Sequence, residues 1–310
     1  MLSASFRLAG ANRRGWNHEQ QSAFRARRSG SLDAAGKAVL IDIRDPESYQ
    51  AGHIVGAVNV PDVFSYLAQT SPEGLQALQA QFAELFGNAG LDGEKVAIVY
   101  EDALNTRYGG SCRGFWLLQY LGYPKVGILD GGLRAWKAFG GTVDIATVTP
   151  AAACFPVLPQ AELLVTTEQM LAALADPTIK LLDNRDKDEW LGESSSPYGK
   201  DFAPRKGRIP GAVWLEWYEL MDTRKPVAAF KSASQVRALA AERGLTPDDE
   251  IIIYCFKGAR AANTYVAMKL AGFDKLRIYL GSWNEWSRDE RLPIETGLPK
   301  GAVRLLPLVV

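Results

Sequence analysis

Hydrophobic positions in this chain fall into short continuous runs, separated by longer stretches whose apolar residues recur every three or four positions. Residues 39–43, 96–100 and 251–254 are apolar and β-branched, the mark of strands buried on both faces. Residues 75–86, 115–121, 167–175, 234–243 and 261–270 carry the helical period. Thr166 or Thr167 is placed to cap the helix over 167–175, and Ser232 or Ser234 the one over 234–243. Strands alternating with helices predict an α/β fold, a parallel sheet flanked by helices on both faces. Ligands then gather at the strands' C-terminal ends.

The pattern is written twice. Val39-Leu40-Ile41-Asp42-Ile43-Arg44-Asp45 recurs as Lys180-Leu181-Leu182-Asp183-Asn184-Arg185-Asp186. Gly52-His53-Ile54-Val55-Gly56-Ala57-Val58 recurs as Gly207-Arg208-Ile209-Pro210-Gly211-Ala212-Val213. Leu129-Asp130-Gly131-Gly132 with Trp136 matches Leu280-Gly281-Ser282 with Trp286. Landmarks repeated in one order predict two tandem domains, over 37–146 and 166–298, joined by a proline-bearing linker over 147–165. Residues 1–36 form a basic extension expected to be flexible, and 299–310 a C-terminal tail.

Composition narrows the class. Lys+Arg and Asp+Glu balance at 35 each, which argues against a protein that binds nucleic acid or membrane through bulk charge. No apolar run is long enough to span a bilayer. The three cysteines, Cys112, Cys154 and Cys255, form no C-x-x-C pair, and only His18 and His53 could add imidazole ligands. A disulfide framework and a metal site are therefore not expected, and a reducing, cytoplasmic setting is. The Arg-rich, acid-poor N-terminus also fits a mitochondrial transit peptide, which keeps that location as the alternative.

The chemistry concentrates in Tyr254-Cys255-Phe256-Lys257-Gly258-Ala259-Arg260. A cysteine that ends a strand, with a glycine and two cations before a helix, lies where loop N–H groups and a helix N-terminus converge. Such a place activates a thiol and binds anions. The other repeat is an internal control: after Tyr100 comes Glu101, a poor nucleophile that would repel an anion. Only the second copy is expected to be catalytic.

These motifs together (D-x-R, G-H/R-I-x-G-A-V, the strand–Cys loop and Gly281-Ser282-Trp283-Asn284-Glu285-Trp286) resemble the tandem-domain rhodaneses, sulfurtransferases of the thiosulfate and mercaptopyruvate type. The resemblance implies a silent first domain and ping-pong sulfur transfer through a Cys255 persulfide. The donor would be a small anion such as thiosulfate, and the acceptor cyanide or a thiol, a protein thiol included. It implies no cofactor and no metal, and a monomer is expected. Lys257 falls where thiosulfate-type members carry lysine, while mercaptopyruvate-type members carry small residues there.

Phe256, Gly258 and Ala259 would supply the loop N–H groups around substrate. Arg185 matches the family's substrate-contacting arginine, yet Arg44 holds the same place in the silent half, so a structural turn with Asp183 explains it equally well. Arg260 is either a substrate ligand or an ion-paired helix residue. Arg208 either extends the basic mouth or lies on the surface, the second being expected, and the second-half insertion over 192–206 is expected to be a surface loop reaching over the site's mouth. Two rivals stand beside the transferase. One is a phosphatase, disfavoured because its C-x5-R cradle is one residue longer; the other is a persulfide carrier serving a protein partner.

Overall fold

The computed structural model describes residues 7–9 and 37–299. The expected C-terminal tail and most of the basic extension lie outside the described residues. Two five-stranded sheets form the core of two α/β units. In the first, the spatial order is Arg7–Ala9, Val126–Ile128, Val96–Tyr100, Ala38–Asp42, Val58–Asn59. In the second it is Val213–Trp214, Ile179–Asp183, Glu250–Tyr254, Leu276–Tyr279, Leu164–Val165. Every pairing is parallel except that of Arg7–Ala9, which runs antiparallel along Val126–Ile128. Those three residues of the basic extension form one edge of the first sheet.

The two units share one register. Tyr100 pairs with Asp42 in the first, and Tyr254 with Asp183 in the second. Both central strands are buried along their apolar run, as their near-continuous hydrophobicity requires. The helices follow their sequence signals closely. Thr167–Ala173 and Ala233–Ala241 begin with capping boxes on Thr166 and Ser232. The linker is packed rather than free. Ala153 N–H donates to Gly87 O and Leu158 N–H to Leu121 O (both 2.9 Å), and Phe155 is buried between Phe86 and Tyr123.

The units meet along the helices Gly110–Tyr120 and Ala259–Leu270, each following the central strand of its own sheet. Contact is close: a Cβ at Gly109 would lie 2.6 Å from Asn263 Cβ. Asn263 Nδ2 donates to Leu104 O across the boundary (3.2 Å). A second bond cluster joins the halves. Thr70 gives its backbone N–H and its hydroxyl to the two carboxylate oxygens of Glu285 (both 2.7 Å), and Thr70 Oγ1 accepts from Thr167 N–H at 3.0 Å. The site therefore sits beside a fixed partner domain.

Candidate active site

Strand Glu250–Tyr254 delivers Cys255 to the C-terminal edge of its sheet. Gly258 then turns the chain with φ 91°, a conformation open to glycine, and its absent side chain leaves Leu280 room: a Cβ would fall 2.6 Å from Leu280 Cδ1. This turn points the Gly258 N–H at Cys255 Sγ (3.1 Å) and starts the 12-residue helix Ala259–Leu270 at the sulfur. A helix N-terminus there stabilises negative charge. Short helix Ser282–Trp286 grips the loop from behind. Trp283 and Asn284 N–H donate to Cys255 O and Phe256 O (both 2.9 Å), and Cys255 N–H donates to Ser282 Oγ (3.2 Å). Ser282 holds φ 53°, a strained value for a non-glycine residue that the surrounding bonds enforce.

Lys257 is buried, 8% exposed, and among the described residues no carboxylate or carbonyl bonds its Nζ. Instead Nζ lies 4.0 Å from the Phe64 ring centroid and 5.0 Å from that of Tyr198. Phe64 comes from the first unit and Tyr198 from the insertion of the second. Burial, together with the charges of Arg113 and Arg107 and against the pull of Cys255, brings the Lys257 ammonium down to about 8.

The other predicted residues divide. Arg260 is buried and its fork is occupied: Nη1 and Nη2 donate to Glu189 at 2.6 and 3.0 Å, and Nη1 also reaches Asp186 at 3.0 Å. Of its two expected roles, the ion pair is the one displayed. Arg185 donates to Asp183 and to Gly207 O (2.7 Å) and lies 4.6 Å over Trp283. Arg44 makes the same bonds to Asp42 and Gly52 O, so the turn is scaffold in both halves. One difference separates them. Arg44 Nη1 is satisfied by Asp102 at 3.2 Å, whereas Arg185 Nη1 is buried with no hydrogen-bond partner among the described residues. The repeats place Phe256 where Asp102 stands. Phe256 is itself buried and meets Tyr198 and Phe202 edge-on. Ala259 is buried at the first turn of the helix.

Arg208 corrects an expectation. It is 1% exposed, not on the surface, because its guanidinium lies 4.5 Å over Trp190 and donates to Trp190 O while the 293–297 segment covers it through Glu295 and Gly297. The insertion is only half a surface loop. Ser194, Ser195 and Ser196 are buried in their own hydrogen bonds, and Tyr198 closes over Lys257. Trp190, Trp217, Trp283 and Trp286 are all buried in the packing of the second unit.

In the first unit Glu101 stands where the second carries Cys255. Glu101 accepts from Ser111 N–H (2.9 Å), Ser111 Oγ (2.6 Å) and Thr106 Oγ1 (3.1 Å), so its carboxyl fills the space at the end of the central strand. Burial pushes its carboxyl up to about 8 against those bonds, so at neutral pH it is mostly uncharged.

Sequence reasoning missed the first unit's share of the site: Phe64, Arg107, Tyr108 and Arg113. The signal was the loop Glu101–Gly109, longer than Cys255–Gly258, which spends its extra residues reaching over the neighbour. Glu189 was missed too, though the repeats held a clue. Arg260 and Glu189 fall opposite Gly110 and Ser48, so cation and acid change together.

Comparison with known proteins agrees with this architecture. The model of the rhodanese-like domain matches twice, over residues 30–139 and 166–289. A thiosulfate sulfurtransferase of Azotobacter vinelandii is 32% identical over 264 residues, covering 84% of this chain and 92% of that protein. A probable 3-mercaptopyruvate sulfurtransferase of Pseudomonas aeruginosa is 32% identical over 255 residues, covering 80% and 86%. Among solved structures, wild-type EanB superposes with a TM-score of 0.71 at 24% identity. An anaerobic ergothioneine biosynthesis enzyme of Chlorobium limicola, in complex with trimethyl histidine, gives 0.73 at 23%. At that identity the likeness is one of fold; this chain spans only 64% and 65% of those two chains. With the domain found in both halves and sulfurtransferases as its relatives, the chain belongs to the rhodanese family as a tandem-domain sulfurtransferase.

Proposed function

We propose that the chain transfers the outer sulfur of thiosulfate to a thiophilic acceptor through a persulfide on Cys255. The observation that carries this reading is Lys257, a buried ammonium two residues after Cys255 to which no carboxylate is bonded among the described residues. A small dianionic donor supplies that missing charge. The unpartnered Arg185 Nη1 is a second buried donor that such an anion would satisfy.

In the first step the Cys255 thiolate attacks the outer sulfur of thiosulfate. A new S–S bond forms, the bond to the sulfonate sulfur breaks, and its electron pair leaves with sulfite. The persulfide anion then rests in the field of the Gly258 N–H and the helix N-terminus. In the second step cyanide or a thiolate attacks the outer persulfide sulfur, and the electron pair returns to Cys255. With cyanide the product is thiocyanate. No proton, metal or external oxidant is required by either step.

The mercaptopyruvate reading rests on the 32% identity to the Pseudomonas aeruginosa relative. One experiment separates the two. Incubate the protein with thiosulfate or with 3-mercaptopyruvate, weigh it, and follow sulfite or pyruvate. We expect one added sulfur from thiosulfate on wild type and none on Cys255→Ser. A mercaptopyruvate preference would overturn the thiosulfate assignment, and absence of any adduct would overturn persulfide transfer.

A further inference from the structure

Phe64 carries two cations from different domains. Lys257 Nζ of the second unit lies 4.0 Å from its ring centroid, and the Arg107 guanidinium carbon of the first lies 5.5 Å from it. We propose that the donor anion is bound across the two domains, between Lys257 and Arg107, so that the silent domain is a donor-specificity element. This deepens the reading above and rests on it for the identity of the donor.

Four observations support the placement. Arg107 and Tyr108 hold φ 44° and 55°, left-handed values that cost energy in non-glycine residues and commonly persist at functional sites. That strain lets the long loop of the first domain reach over the second. Tyr108 lies beside Trp217 and the insertion's Tyr198 (both 6.2 Å), which places this loop in the aromatic wall around Lys257. Arg113, fully buried, donates to Phe64 O at 2.9 Å and Tyr66 O at 2.7 Å, so a third cation braces the Phe64 backbone. Its Nε is buried without a hydrogen-bond partner among the described residues. Finally, the Arg107 side chain is 28% exposed and pairs with that of Asp45, itself 40% exposed. An entering anion can share or displace a carboxylate so placed, whereas Arg260 is locked to a buried Glu189.

The test separates donor binding from a brace between Arg107 and Asp45. Thiosulfate binding is measured by titration calorimetry on Cys255→Ser, which cannot turn over. Arg107→Gln on that background should weaken Kd ~10-fold, the weight of one charge-assisted contact, and Arg107→Lys should recover part of it. Asp45→Asn should leave binding unchanged or tighten it, because it frees Arg107 while an asparagine still caps the helix Pro46–Gln50. Equal Kd for Arg107→Gln and its parent would overturn the proposal, as would a loss on Asp45→Asn matching that on Arg107→Gln. So would absence of thiosulfate binding to Cys255→Ser. Sulfur uptake by wild type is scored separately. Uptake with an Arg107-independent Kd sinks the two-domain site alone; Arg107-dependent binding without uptake sinks sulfur transfer alone.

Discussion

Replacing Lys257 by methionine should make the protein more stable and a much poorer transferase. Lys257 is brought from 10.5 down to about 8 by burial first and then by Arg113 and Arg107. At about 1.4 kcal/mol per unit, holding it charged at pH 7 costs ~3 kcal/mol of folding free energy. The group is 8% exposed, so solvent does little to screen that penalty. The Phe64 and Tyr198 rings offset part of it, ~1 kcal/mol in total for partly desolvated cation–π contacts. Methionine keeps much of the side chain's length and buries no charge. The expected net gain is therefore ~2 kcal/mol, or about 4–8 °C in Tm.

The sign of the pH dependence is fixed. Below about 8 the lysine is protonated in folded and unfolded chains alike, and the penalty is present in full. Between about 8 and 10.5 the folded protein has released the proton and the unfolded chain has not, so the penalty fades. Urea denaturation of both proteins at pH 7 and near pH 10 should show a gap that is wide at the first and nearly closed at the second. The same variant should lose ~100-fold in kcat/KM for thiosulfate at pH 7, from removal of a buried charge-assisted contact. A stability gap that ignores pH, or a methionine variant with unchanged donor kinetics, would refute the reasoning.

Three further outcomes follow from neighbouring residues. Gly258→Ala forces a left-handed φ on alanine and a Cβ against Leu280; sulfur loading should drop at least ~10-fold and stability by ~1–2 kcal/mol, read by mass and by denaturation. Glu189→Gln leaves Arg260 buried with the 36% exposed Asp186 as its remaining carboxylate among the described residues, which should cost ~3 kcal/mol in urea unfolding. Glu101→Gln should match wild type near pH 5. It should become progressively more stable than wild type as pH rises through about 8, because the folded carboxyl holds its proton longer than the unfolded one.

Much of this was legible in residue order because it is local. The duplicated strands, Cys255 at a strand end, Gly258 in its turn and the helices capped by Thr166 and Ser232 all follow from patterns a few residues long. What escaped depends on contacts between distant positions. Lys257 meets Phe64 across the domain boundary, and no local periodicity encodes that meeting. Arg208 reads as a surface cation until Trp190 and the 293–297 segment enclose it. Glu101 reads as a repelling charge; only its burial among Ser111 and Thr106 turns it into a neutral plug.

The bonds from Thr70 to Glu285 bear on why both copies persist. Glu285 belongs to the short helix whose Trp283 and Asn284 N–H groups grip Cys255 and Phe256 from behind. The first copy thus holds one end of a lever whose other end is the backbone of Cys255. Without the first unit, the loop that carries Cys255 would lose this anchor, so the two units form one structural piece.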